Sequence, residues 1–154
     1  MGRSKTVDIG GVLATGRPLV VEMPVDVPSF GSHAFPRPAV ARLEISRVDR
    51  GLGVTGTIEA ASSGSCDRCL AHATKTITVD VDECLTSNGS EEGILAESNV
   101  LESGQLDVAD LARQVIDSAL PMVLLCSDDC PGLCPSCGLS RREGACACPV
   151  TVER

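Results

Sequence analysis

Hydrophobic side chains recur at every second position in four stretches of this chain. In LVVEMPVDV, residues 19–27, the positions Leu19, Val21, Met23, Val25 and Val27 alternate with Val20, Glu22, Pro24 and Asp26. Residues 39–45 set Ala41, Leu43 and Ile45 on one face and Arg42 and Glu44 on the other. After the turn Asp49-Arg50-Gly51, Leu52, Val54, Ile58 and Ala60 share a face. In KTITVDVDE, residues 75–83, Ile77, Val79 and Val81 oppose Thr76, Thr78, Asp80 and Asp82. Period-two alternation marks a strand with one buried and one wet face. Such one-sided strands suit an antiparallel sheet, because parallel strands generally bury both faces. Pro24 has no N–H to give to a ladder, which places the first strand at an edge.

The pattern then changes twice. Residues 86–104 are rich in acid and turn formers and read as a surface loop. From Asp107 the spacing becomes helical. Asp107 is placed to cap a helix N-terminus, Asp110 favours its dipole, and Leu111, Val115, Ile116 and Ala119 form one apolar stripe. Pro121 stops the helix at Leu120. The expected fold is α+β: an antiparallel β-sheet with one packed C-terminal helix over residues 1–125, then a cysteine-rich tail over 126–154.

Composition sharpens this. The apolar set makes up 43% of the chain, yet Phe30 and Phe35 are its only aromatics, so the core must be aliphatic. No apolar run reaches the roughly 18–20 residues that span a bilayer. MGRSKTVDIGG lacks the hydrophobic stretch of a secretory signal, so the expected compartment is the cytoplasm, where thiols stay reduced. The net charge of −8 is uneven: residues 1–75 hold 9 Lys/Arg and 7 Asp/Glu, a balance of +2, and residues 76–154 hold 4 and 14, a balance of −10. Phosphate-directed RNA contacts would fall to first-half arginines, with Arg42, Arg47 and Arg50 the candidates. Aromatic platforms for base stacking are nearly absent. The acidic half suits a basic protein partner better, and that is the favoured expectation.

Six of the nine cysteines lie between residues 126 and 148. CPSCG, residues 134–138, is a Cys-x2-Cys turn whose glycine can take a positive φ, and Cys146 and Cys148 follow in CAC. Two close pairs joined by a short loop match a tetrahedral four-thiolate zinc site built from Cys134, Cys137, Cys146 and Cys148. Cys126 and Cys130 could instead replace the CAC pair, or join Cys66 and Cys69 of CDRCL in a second site. Eight cysteines would fill two sites and leave Cys84 alone. CDRCL also has the spacing of a redox dithiol, but such a motif should open a helix within a βαβ unit, and no helix start follows it. No nucleophile motif or phosphate-binding glycine loop is present, and no enzyme is expected.

Taken together, CDRCL after a strand, the acidic loop, the helix ending in SALPMVLLC, and DCPGLCPSCG with CAC resemble the YceD family, the large ribosomal RNA subunit accumulation proteins. The resemblance spans roughly residues 17–148. In the cysteine-tailed subset a Gly-x-Asn-Leu-Asn run often follows the second knuckle cysteine; here Gly138-Leu139-Ser140-Arg141-Arg142 stands there, with the cysteine spacing intact. The resemblance implies a non-enzymatic role in making or maintaining large-subunit (23S) ribosomal RNA, through a large-subunit ribosomal protein or pre-ribosomal RNA. Competing readings are a thiol–disulfide or redox-sensing protein and a zinc-ribbon adaptor for an unrelated complex.

Overall fold

Each of the four alternating stretches is a strand in the computed structural model, which describes residues 5–49, 51–85, 101–102, 104–144 and 146–149. They are β2 (Leu19–Val25), β3 (Ala39–Val48), β4 (Gly51–Ser65) and β5 (His72–Leu85). All pair antiparallel in the order β2-β3-β4-β5, which puts the Pro24 strand at an edge. The register aligns like with like. Met23 faces Ala41, Leu43 faces Val21, and Ile45 faces Val54, so one sheet face is a continuous apolar surface.

That surface is covered by α2 (Val108–Ala119). Asp107 caps it as expected, its Oδ1 accepting from the backbone N–H groups of Ala109 and Asp110 at 3.0 Å. Leu111, Val115 and Ile116 are buried against Leu43, Ile45, Val54 and Ile58 in an aliphatic core. Burial of these side chains stabilises the domain by roughly 25 cal/mol per Å² of apolar area removed from water.

Smaller elements close one end. β1 (Thr6–Asp8) pairs with β7 (Gln105–Asp107), which pairs with β6 (Leu101–Glu102), giving a second, three-stranded sheet. A short helix, α1 (Gly10–Thr15), buries Val12 in the same core. The sheet thus leads directly into α2, with Asp107 ending β7 and capping the helix. Most of the acidic stretch 86–104 lies outside the described residues. Its Leu101 and Glu102 belong to β6.

β4 and β5 run far past the core. Their register continues from Leu52–Leu85 to Ser65–His72, forming a long hairpin with CDRCL at its tip. The loop between β2 and β3 braces this arm: Ala34 and Ser63 exchange backbone hydrogen bonds of 2.8 Å, and the buried His33 Nδ1 lies 2.8 Å from Ser62 Oγ. Gly64 makes room here. A Cβ on it would lie 2.5 Å from the Ser32 carbonyl oxygen and 2.9 Å from Leu124.

Candidate metal centres

The hairpin tip and the tail meet. Leu124, five residues beyond the end of α2, is buried with Ala73, Cys66, Cys69 and Cys130 in a core separate from the main one. Asp67 locks the contact from both sides: its backbone N–H donates to the Leu124 carbonyl at 2.8 Å, and its Oδ2 accepts from the Leu124 N–H at 2.6 Å. Arg68 adds a bond from Nη1 to the Cys130 carbonyl at 3.2 Å. The chain just past residue 125 is therefore packed on the hairpin.

The result is a first group of four sulfurs, Cys66, Cys69, Cys126 and Cys130, all within 4.8 Å of one another. The Cys66–Cys130 separation is 3.8 Å and the Cys69–Cys126 separation 3.5 Å. A second group, also within 4.8 Å, unites Cys134, Cys137, Cys146 and Cys148. Sequence spacing leaves the partners of Cys126 and Cys130 open; the structure groups them with the hairpin cysteines. Cys84, exposed near the end of β5, is outside both groups, and all nine cysteines are free of disulfides.

The two Cys-x2-Cys turns share one backbone design. In the first, Leu70 N–H donates to the Cys66 carbonyl at 2.9 Å and Cys66 N–H to the Ala71 carbonyl at 2.8 Å. In the second, Gly138 donates to Cys134 at 2.8 Å and Cys134 to Leu139 at 2.8 Å. Each turn needs a left-handed residue after its second cysteine. Gly138 supplies it at φ 72°, and Leu70 does so at φ 62°.

This geometry fits a divalent metal. With metal–sulfur bonds of about 2.3 Å, a tetrahedral thiolate site has sulfur–sulfur edges of roughly 3.8 Å, as found between Cys66 and Cys130. Four thiolates also close the coordination sphere, the arrangement of structural sites rather than catalytic ones. Local polarity favours thiolate at selected positions. Burial opposes the charged form of Cys66, yet the backbone N–H groups of Cys126, Cys69 and Arg68 outweigh it and bring the thiol down to about 6. At Cys134 the N–H groups of Cys137 and Ser136 lower the thiol to about 6. Their neighbours move the other way. Burial pushes Cys130 up to about 12, and the Cys137 side chain, with burial, pushes Cys148 to about 12. Four sulfurs this close cannot all hold a negative charge without a cation.

One contact had no signal in the sequence. Arg142, in the loop between Cys137 and Cys146, places Nη1 3.0 Å from the Cys126 sulfur of the first group. The charge on Cys126 raises the Arg142 pKa further above its ordinary value.

Of the arginines expected as RNA contacts, Arg42 and Arg47 lie on opposite faces of the sheet. Arg42 projects from the outer sheet face and pairs with Glu22 at 3.3 Å. Arg47, at an odd position of β3, points to the opposite face and donates to the Leu13 carbonyl at 3.1 Å. Arg50 lies outside the described residues.

An antiparallel sheet backed by a helix, with two four-cysteine groups on its hairpin tip and tail, defines an α+β domain with a cysteine-rich appendage. The chain belongs to the family described as large ribosomal RNA subunit accumulation protein YceD, which matches residues 54–153. It is 33% identical over 100 residues to the uncharacterized protein Rv2926c of Mycobacterium tuberculosis, covering 63% of this chain and 48% of that protein. Identity to the uncharacterized protein ML1660 of Mycobacterium leprae is 29% over 101 residues, covering 64% and 46%. The chain thus spans about half the length of the curated relatives it matches. No solved structure matches it.

Proposed function

We propose that this protein is a non-enzymatic, cytoplasmic ribosome-biogenesis factor that supports accumulation of large-subunit ribosomal RNA by holding a basic large-subunit ribosomal protein. The family description supplies the process. The observation that favours a protein over RNA is the outer sheet face, where Glu22, Glu44, Glu59, Asp80 and Asp82 lie on the same face as Arg42. Glu44 and Asp82 flank Thr55 across the ladder, and Arg42 and Asp80 flank Thr57. Such a face repels phosphate and attracts lysine- and arginine-rich segments. Among the described residues no helix is long and apolar enough to cross a membrane.

In this reading the two cysteine groups each hold one zinc ion; the first staples the tail to the hairpin and the second cross-links the tail itself. Thiolate-rich tetrahedral donors favour zinc among the common metals. Cys66, Cys69, Cys126 and Cys130 form one centre, and Cys134, Cys137, Cys146 and Cys148 the other.

A pull-down from cells, with bound RNA and protein both identified, tests the partner. Wild type should retain a basic ribosomal protein, and Asp80→Asn with Asp82→Asn and Glu44→Gln should release it. Reversal of Arg42 and Arg47 to glutamate should leave that binding intact. Tight binding of the isolated chain to ribosomal RNA, lost on arginine reversal, would overturn the preference.

A further inference from the structure

We infer that Arg142 couples the two metal centres, acting as a positioning residue that makes retention of metal at the first depend on occupancy of the second. The inference rests on the metal reading above and adds to it a coupling between the centres and the residue that carries it.

The connection is short and directly traceable. Arg142 belongs to the segment between Cys137 and Cys146, whose two ends are both ligands of the second centre. Its guanidinium, however, donates to a sulfur of the first centre, Cys126, at 3.0 Å. The backbone aims it. Arg141 N–H donates to the Gly132 carbonyl at 3.1 Å, Leu133 and Ser140 form an antiparallel bridge, and Arg142 N–H donates to Ser140 Oγ at 3.4 Å. Gly132 and Leu133 lie between Cys130 of one centre and Cys134 of the other. Closing the second centre therefore fixes the strip on which Arg142 stands.

The chemistry of the contact gives it a consequence. A divalent ion in four thiolates leaves a centre with two net negative charges. Cys126 is the most solvent-accessible member of the first group, the others being buried. It is thus the sulfur most open to a proton or to a competing ligand. A guanidinium N–H donated to it neutralises part of that charge and occupies the approach to the sulfur. Outer-shell partners of metal ligands typically change metal affinity by roughly 10- to 100-fold, and an exposed arginine belongs at the low end. Since coupling is reciprocal in equilibrium binding, a filled first centre must also favour the second.

The test uses the full chain loaded with Co(II), whose thiolate charge-transfer and d–d bands report the ligand set. It follows loss of each ion to a chelator. Arg142→Ala should speed release from the first centre about tenfold, with both centres still filled at the start, and Arg142→Lys should recover part of the difference. Emptying the second centre with Cys146→Ser and Cys148→Ser should speed release from the first in wild type. In the Arg142→Ala background it should add little, and this non-additivity is what a merely structural arginine would not produce. Equal release from the first centre in wild type and Arg142→Ala, with both centres loaded, would overturn the coupling and leave the metal reading standing. Failure of either group to bind Co(II) or Zn(II) would remove the metal reading and the coupling with it.

Discussion

The two cysteine groups use the same turn and differ in almost everything around it. The first joins partners 57 and 64 residues apart, and Cys66, Cys69 and Cys130 are buried with Leu124 and Ala73. The second draws all its cysteines from residues 134–148 and leaves Cys137 exposed. With zinc bound as proposed, one would be a clamp between distant parts of the fold, the other a local cross-link within the tail. The lesson is that identical ligand chemistry carries different mechanical duties, set by the sequence distance it closes and the apolar cover it receives.

Breaking the clamp should have the largest effect. Structural zinc centres in small domains supply roughly 10–16 kcal/mol on metal binding, so Cys66→Ser or Cys130→Ser should cost about 3 kcal/mol or more, even with the sheet–helix core intact. Denaturant unfolding with equimolar zinc measures this, and a loss below about 0.5 kcal/mol would show that the first group is no clamp. Cys137→Ser should release one equivalent of metal while costing the sheet domain far less.

The shared turn can be probed at its left-handed residue. A Cβ on Gly138 would meet nothing within 4 Å, so Gly138→Ala isolates the backbone cost, expected to be about 1 kcal/mol. Leu70 already carries that cost at φ 62°, and Leu70→Gly should be neutral or stabilising by up to about 1 kcal/mol. If Leu70→Gly instead destabilised the protein strongly, the exposed leucine side chain would hold a contact beyond its backbone role.

A smaller effect distinguishes the groups by acid. Thiolates must lose their metal to be protonated, so the stability that metal supplies is present at neutral and higher pH and lost as pH falls. The more exposed second centre should release its ion at higher pH than the first. Absorbance of the Co(II) form during acid titration should then show two steps, with the second centre going first; a single step, or the reverse order, would contradict the ranking by burial.

Much of this architecture was legible in the chain because alternation and capping are local. Leu43, Ile45, Val54 and Ile58 announce their sheet face, and Asp107 with Pro121 brackets α2. The small elements were not. β1 and β7 have three residues each and β6 two, too few to show a period, and Gly10–Thr15 carries a single buried side chain. The far ends of β4 and β5 were missed because residues such as Ser62, Ser63 and Gly64 lack an apolar alternation. The grouping of Cys66 and Cys69 with Cys126 and Cys130 was reachable by counting cysteines, but the pairing is tertiary, and nothing in the sequence near Arg142 points at Cys126.

The long reach of the first centre also fixes a sequence of events in time. Closing a loop costs entropy that grows with the logarithm of its length, so the 134–148 ligands can find one another before Cys66 and Cys69 find Cys126 and Cys130. The hairpin tip must then wait, its thiols uncommitted, until α2 has docked and delivered Leu124 to Asp67. In the proposed zinc-bound form, metal at the hairpin would be a checkpoint on completed folding, captured with all four ligands only when both ends of the domain are in place.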